Sequence, residues 1–199
     1  MISLRLIHHA QQMAITKRLL DFQKVPAKEY FWELVFCLLT PQSKAERCFA
    51  AVEELQQLSS LSQKKVAFIL RKYTRFHNNK ASYVLLAQQQ WPAIALLLEN
   101  SDRKCVRDTL ASSVKGLGLK EAGHFLRNIG KSNNQIAILD RHILHSMYTH
   151  KIISQPLLKT TKDYFLFEKR YLLWAQHIGI APDELDLVLW SLATGKIFK

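Results

Sequence analysis

Apolar positions along this chain recur at three- and four-residue intervals, the spacing that lays one face of an α-helix against a core. No window of four to eight residues alternates like a strand between turn signals, so the pattern predicts an all-α fold. Lys28 to Thr40 is dense in aromatic and aliphatic residues and should stop at Pro41, where the backbone ladder breaks. Ser43-Lys44-Ala45-Glu46 has the spacing of a capping box and predicts the start of the next helix. Ser62 is placed to cap a helix running to about Lys72, and Asn78 or Asn79 to cap one through Gln89. Pro92 is expected to open a short apolar helix that ends near Asn100, and Asp102 to Ser113 forms another. Farther on, Gly130 is a natural left-handed terminator and Asn133-Asn134 marks a loop. Asp140 can cap a helix from Arg141 to Thr149. A long helix from about Thr161 to His177 should close at Gly179, and Pro182 should open a last one ending near Gly195. The chain shows neither internal repeats nor a low-complexity linker.

Between Ser113 and Gly130 the pattern is more specific. Val114-Lys115-Gly116-Leu117-Gly118-Leu119-Lys120-Glu121-Ala122 runs an apolar helix end into Gly-x-Gly and straight into a new helix, which describes a tight hairpin. The glycines let the backbone turn, and the start of the second helix leaves N–H groups exposed. Such a tip can hold an anion, for example a DNA phosphate. Leu110, Val114, Leu117, Ala122, Phe125 and Leu126 are spaced for one buried face.

Composition sharpens the reading. A net charge of +12 favours a polyanionic partner, although a merely basic, soluble surface would give the same number. Cys37, Cys48 and Cys105 show no close pairing, which argues against a disulfide scaffold, a zinc site and an iron–sulfur cluster. Cys37 and Cys48 read as core thiols. Met1-Ile2-Ser3-Leu4-Arg5 opens no run of signal-peptide length, and no segment approaches a membrane span. The expectation is a reduced, intracellular protein without membrane contact. His142 and His145 share a helix face, but no third ligand accompanies them, so no metal site is expected.

Gly116 to Asn128 (Gly-Leu-Gly-Leu-Lys-Glu-Ala-Gly-His-Phe-Leu-Arg-Asn), followed by Ile138-Leu-Asp-Arg-His-Ile143, resembles the helix–hairpin–helix DNA glycosylase superfamily. More narrowly, it is similar to the type 2 8-oxoguanine DNA glycosylase/AP lyases, first recognised in archaea. The ending Leu189-Trp-Ser-Leu-Ala-Thr-Gly-Lys-Ile-Phe-Lys199 resembles theirs as well.

The resemblance implies a base-excision enzyme acting on double-stranded DNA that contains 8-oxoguanine or abasic sites. It implies that Lys120 attacks C1′ of the damaged nucleotide, releases the base and forms a Schiff base that permits strand cleavage by β-elimination. On the residues alone, Lys120 has a plainer alternative as a solvated lysine that steadies a phosphate, but its position says more. A cation in the first turn opposes the helix dipole, and a nucleophilic amine must first shed its proton. Asp140 reads both as a helix N-cap and, by resemblance, as the carboxylate that stabilises positive charge developing on the deoxyribose. Trp190 and Phe76 would sandwich the flipped base, although sequence alone would sooner place both in a core. Terminal Lys199 would tell 8-oxoguanine from guanine, because the lesion carries a proton at N7 where guanine has a lone pair. Lys115, Gly116 and Gly118 would hold the DNA backbone, and Gln42 would contact the opposite strand.

The architecture so implied is a single glycosylase unit over residues 1–199 with two helical lobes and a basic DNA cleft between them. One lobe spans 28–134 and ends in the hairpin; the other joins 1–27 to 135–199. No cofactor is implied, and a monomer is expected. Two rivals remain. A related glycosylase for another lesion, such as an oxidised pyrimidine, often carries a four-cysteine cluster that this chain lacks. A non-catalytic hairpin module would need the glycines but would have no use for Lys120 and Asp140 together.

Overall fold

The computed structural model describes residues 4–198. They form ten α-helices and one 3₁₀ turn (Ala27–Glu29), with no strand among the described residues. The helices are α1 (Leu4–Gln23), α2 (Tyr30–Leu39), α3 (Ala45–Gln56), α4 (Gln63–Leu70), α5 (His77–Leu97), α6 (Arg103–Ser113), α7 (Leu119–Asn128), α8 (Arg141–Thr149), α9 (Thr161–Ile178) and α10 (Pro182–Thr194). Two compact units result: Met1–Lys24 with Arg127–Lys199, and Val25–Leu126.

In the unit Val25–Leu126, α2 is the core element. Leu34 through Leu39 are all buried, so this helix is apolar all round, as a helix enclosed by neighbours must be. Each fully buried leucine there contributes roughly 1.5–3 kcal/mol. Helix α2 packs on α3 and α5, and α4 packs on α5. Cys37 and Cys48 are buried here as free thiols, as expected, and Cys105 is exposed.

In the other unit α10 is the hub, meeting α1, α8 and α9. The final turn of α7 is pinned there. Arg127 Nη1 lies 2.7 Å from Asp186 Oδ2, both side chains nearly enclosed, and its guanidinium sits 5.1 Å from the Phe22 ring centroid. Breaking such a pair by removing one partner leaves an uncompensated buried charge.

Most predicted boundaries hold. Asp102 caps α6, Asp140 caps α8, Ser62 caps α4, and Gly130, Gly179 and Gly195 all have positive φ. Helix α9 opens with a reciprocal capping box between Thr160 and Asp163 that the sequence reading did not single out.

Three expectations are corrected. Pro92 does not begin a helix; α5 runs through it to Leu97. Pro92 and Gln88, whose carbonyl would have met the missing N–H, both lie on the exposed face, where water can serve that carbonyl. The buried stripe Ala81, Val84, Ala87 and Ile94 continues unbroken on the other side. Neither Asn78 nor Asn79 caps α5, because Phe76 occupies the N-cap in a left-handed conformation. The Ser43–Glu46 capping box does not form either. Lys44 is the N-cap of α3 and makes no side-chain cap bond, while the Ser43 hydroxyl accepts a hydrogen bond from Lys80 instead.

Candidate active site

The hairpin forms because Val114 leaves the helical region at the end of α6 and Gly116 then turns the chain with φ +90°. The Leu117 N–H donates to the Val114 carbonyl at 3.1 Å, and the Ala122 N–H donates to the Gly118 carbonyl at 2.9 Å to start α7. Leu110, Val114, Leu117, Ala122, Phe125 and Leu126 are all buried, as their spacing predicts. Lys115, Gly116 and Gly118 are exposed at the tip.

The two glycines are needed for different reasons. Gly116 is left-handed, and a Cβ added there would be driven into the Tyr83 ring. Gly118 is not left-handed; a Cβ there would meet only Glu121 Oε2, at 2.9 Å, the far end of a movable side chain. If the tip holds the DNA backbone and not the base, Gly116→Val should therefore weaken binding of damaged and undamaged duplex by a similar factor, about tenfold or more. Gly118→Ala should cost clearly less. Fluorescence anisotropy with both duplexes at one fixed salt concentration measures both effects.

Lys120 sits in the first turn of α7 with 27% of its side chain exposed, and its Nζ lies 2.8 Å from Glu121 Oε1. The neighbouring carboxylate is itself only 13% exposed. The amine must leave this ion pair before it can attack an electrophilic carbon. Glu121 was not singled out by sequence reasoning, although its position directly after the lysine was the available signal.

A pocket of about 150 Å³ in the same unit gathers three more of the candidates, Gln42, Phe76 and Gly116, together with Lys80 and Tyr83. Two of its rim residues are strained. Gln42 has φ +56° and Phe76 has φ +57°, uncommon for any non-glycine residue and an outlier for a bulky aromatic. Phe76 is not a core residue: it is 53% exposed, with the Arg75 guanidinium 5.7 Å from its ring centroid. An exposed aromatic face in a strained backbone is suited to stacking on a flat ligand. Beneath the rim lies the buried Lys80, whose ammonium donates to the carbonyls of Leu39 (2.7 Å) and Pro41 (2.9 Å) and to Ser43 Oγ (2.9 Å). Burial pushes the Lys80 pKa down, and burial also pushes the adjacent Cys48 thiol up to about 11.

Asp140 belongs to the other unit. Its Oδ1 accepts from the N–H groups of His142 and Ile143, both at 2.8 Å, while Oδ2 takes no hydrogen bond among the described residues. The approach to it is fixed at both peptide groups of Ala137. That N–H donates to Glu168 Oε1 at 2.8 Å, and that carbonyl accepts from the Tyr164 hydroxyl at 2.7 Å. The Asp140 N–H then folds back onto the Ile138 carbonyl at 2.8 Å. One oxygen is thus occupied in capping. Glu168 and Tyr164 lie too far along the sequence for local spacing to reveal this clamp.

Trp190 lies in α10 of this same unit, half-buried, with its carbonyl accepting from the Thr194 hydroxyl at 2.9 Å. It is not enclosed in the core. Lys199 lies outside the described residues. No group of three or more His, Cys, Asp or Glu side chains could hold a metal among the described residues, His142 and His145 included.

The hairpin carries an amine in the first turn after it, and the other unit carries a clamped capping carboxylate. Comparison with known proteins supplies the family. The family model described as 8-oxoguanine DNA glycosylase matches residues 15–180. An 8-oxoguanine DNA glycosylase/AP lyase of Korarchaeum cryptofilum is 34% identical over 190 residues, covering 93% of this chain and 90% of that protein. One from Fusobacterium nucleatum is 32% identical over 198 residues, covering 92% and 90%. Among solved structures, the 8-oxoguanine DNA glycosylase of Thermotoga maritima superposes with a TM-score of 0.89 at 29% identity, covering 98% of this chain and 96% of that one. The Methanocaldococcus jannaschii 8-oxoguanine glycosylase/lyase, solved in complex with a 15mer DNA containing 8-oxoguanine, gives 0.88 at 29% identity with full coverage of both chains. The chain belongs to the 8-oxoguanine DNA glycosylase family.

Proposed function

We propose that this protein excises 8-oxoguanine from double-stranded DNA and then cleaves the strand at the abasic site. The observation that carries the reading is Lys120, an amine in the first turn of α7 beside an exposed Gly-x-Gly tip, inside a chain matched over nearly its whole length by glycosylase/AP lyases. Lys120 Nζ attacks C1′, the bond from C1′ to the base nitrogen breaks, and the base leaves with the bonding electrons and takes up a proton. The C1′–O4′ bond then breaks, O4′ takes up a proton and the nitrogen gives one up, leaving an imine at C1′ of the opened sugar. The imine acidifies the adjacent carbon, loss of a proton there expels the 3′ phosphate, and the strand is cut. Asp140 stabilises the positive charge that grows on the sugar as the base departs. The capping bonds to Oδ1 hold this carboxylate in place.

Lys115 and the backbone of Gly116 and Gly118 take the phosphates, Gln42 reaches the opposite strand, and Phe76 and Trp190 hold the extruded base. The chain acts as a single unit of two helical lobes, as a monomer with the cell's DNA. No helix among the described residues is long and apolar enough to cross a membrane. The reaction runs on an amine and a carboxylate and calls for no cofactor. A duplex with one 8-oxoguanine should yield free base and a nicked strand without alkali, while an undamaged duplex stays whole. Binding without either product would make the chain a hairpin module; cutting only at oxidised pyrimidines would make it a glycosylase for another lesion.

Lys199 separates recognition from chemistry. Its removal leaves Lys120, Asp140 and the hairpin untouched. If the terminus reads the N7 proton, the truncated protein should lose about ten- to a hundredfold of its preference for 8-oxoguanine over guanine, the worth of one polar contact in a dry pocket. Cleavage of a preformed abasic site should survive, because that substrate has no base to read. Unchanged preference would remove Lys199 from the site.

A further inference from the structure

The 150 Å³ pocket poses a question that its assigned residues do not answer: what keeps its rim strained? Left-handed conformations in non-glycine residues persist only when their surroundings over-determine them. Gln42 sits third in a turn from Thr40 to Ser43, closed by the Ser43 N–H donating to the Thr40 carbonyl at 3.0 Å. Pro at the second position and positive φ at the third are the signature of a type II turn, where the third residue is usually glycine. Phe76 pays the same conformational cost at the N-cap of α5.

Lys80 touches both. Its ammonium holds the Leu39 and Pro41 carbonyls and the Ser43 hydroxyl, bracketing Gln42 on either side. Its own backbone N–H donates to the Phe76 carbonyl at 3.0 Å. The ammonium of this residue, 4% exposed, therefore ties the Gln42 turn to α5, whereas the bond to Phe76 is a main-chain helix bond that does not depend on the side chain. A buried lysine bonded to two carbonyls and a hydroxyl is a costly arrangement, since an apolar side chain would fill the space without desolvating a charge. We propose that Lys80 is a positioning residue whose ammonium locks the turn of Gln42 into its strained conformation, setting that side of the pocket rim before DNA arrives. The inference rests on the assignment of Gln42 to the DNA contacts.

The test is a double-mutant cycle on 8-oxoguanine excision at saturating duplex. Lys80→Met keeps the length of the side chain but removes its donors, and it should lower the excision rate by roughly a hundredfold, the cost of misplacing contact groups by about 1 Å. Borohydride trapping on a preformed abasic site should fall far less. Gln42→Ala should lower excision, and adding Lys80→Met to it should cost little more, because nothing is left to position. Full additivity, or a parallel fall in abasic-site trapping, would overturn the proposal and leave Lys80 as a fold-stabilising residue. If Gln42→Ala is itself silent, the site assignment fails first and takes the proposal with it. Should Lys80→Met not fold, Ser43→Ala decides: it removes one acceptor at the rim and should lower excision several-fold with trapping preserved, and unchanged excision would overturn the proposal.

Discussion

Lys120→Ala is expected to leave a folded protein that still binds duplex DNA but neither releases 8-oxoguanine nor nicks an abasic strand. The residue lies in the first turn of α7 and is partly exposed, so truncation opens no cavity in the core. The buried face of the hairpin, from Leu110 to Leu126, is untouched, and alanine is the best helix former available. Thermal stability should change little. If Lys120 is the nucleophile, the covalent route itself is lost, and losing a nucleophile costs on the order of 10⁴-fold or more. Gel assays of base release and strand cleavage on matched duplexes measure both halves. Retained cleavage of abasic DNA by the variant would place the lyase amine elsewhere.

Asp140→Asn should have the next largest effect and should separate the capping of α8 from the charge role proposed for that residue. Asparagine caps a helix about as well as aspartate, so α8 should keep its start and stability should hold to within about 0.5 kcal/mol. The bonds from the His142 and Ile143 N–H groups need only an oxygen. The negative charge is gone, however, and base release should slow by roughly 10²–10³-fold, the usual penalty for removing one preorganised electrostatic contact. Affinity for lesion-containing duplex should remain near that of the parent. Asp140→Ala should add a stability loss of about 1 kcal/mol from the missing cap. If the asparagine variant excises at full rate while the alanine variant is merely less stable, Asp140 is a cap and nothing more.

Much of this was legible in the sequence, for local reasons. Helix caps depend on residues three or four apart, and Ser62, Asp102 and Asp140 cap where their spacing says. The hairpin was legible because its buried face, its glycines and its lysine fall within seventeen residues, Leu110 to Leu126. Long-range partners were not. The Ser43 hydroxyl was read as a cap, but a lysine thirty-seven residues away claims it. The Pro92 break failed because tertiary burial of one face of α5 outweighs one lost backbone bond on the other. Phe76 read as core on composition, since nothing local announces a left-handed N-cap. The clamp on Ala137 that fixes the approach to Asp140 comes from α9, beyond the reach of any spacing rule.

Which atom bonds to the sugar decides the proposed reaction most directly. Wild-type protein incubated with an 8-oxoguanine duplex and borohydride, digested and analysed by mass spectrometry, should give one DNA-linked peptide, with the adduct on Lys120 Nζ. The same adduct should form on a preformed abasic duplex, and none on undamaged DNA. An adduct mapped to another lysine, or base release with no trappable adduct at all, would contradict it.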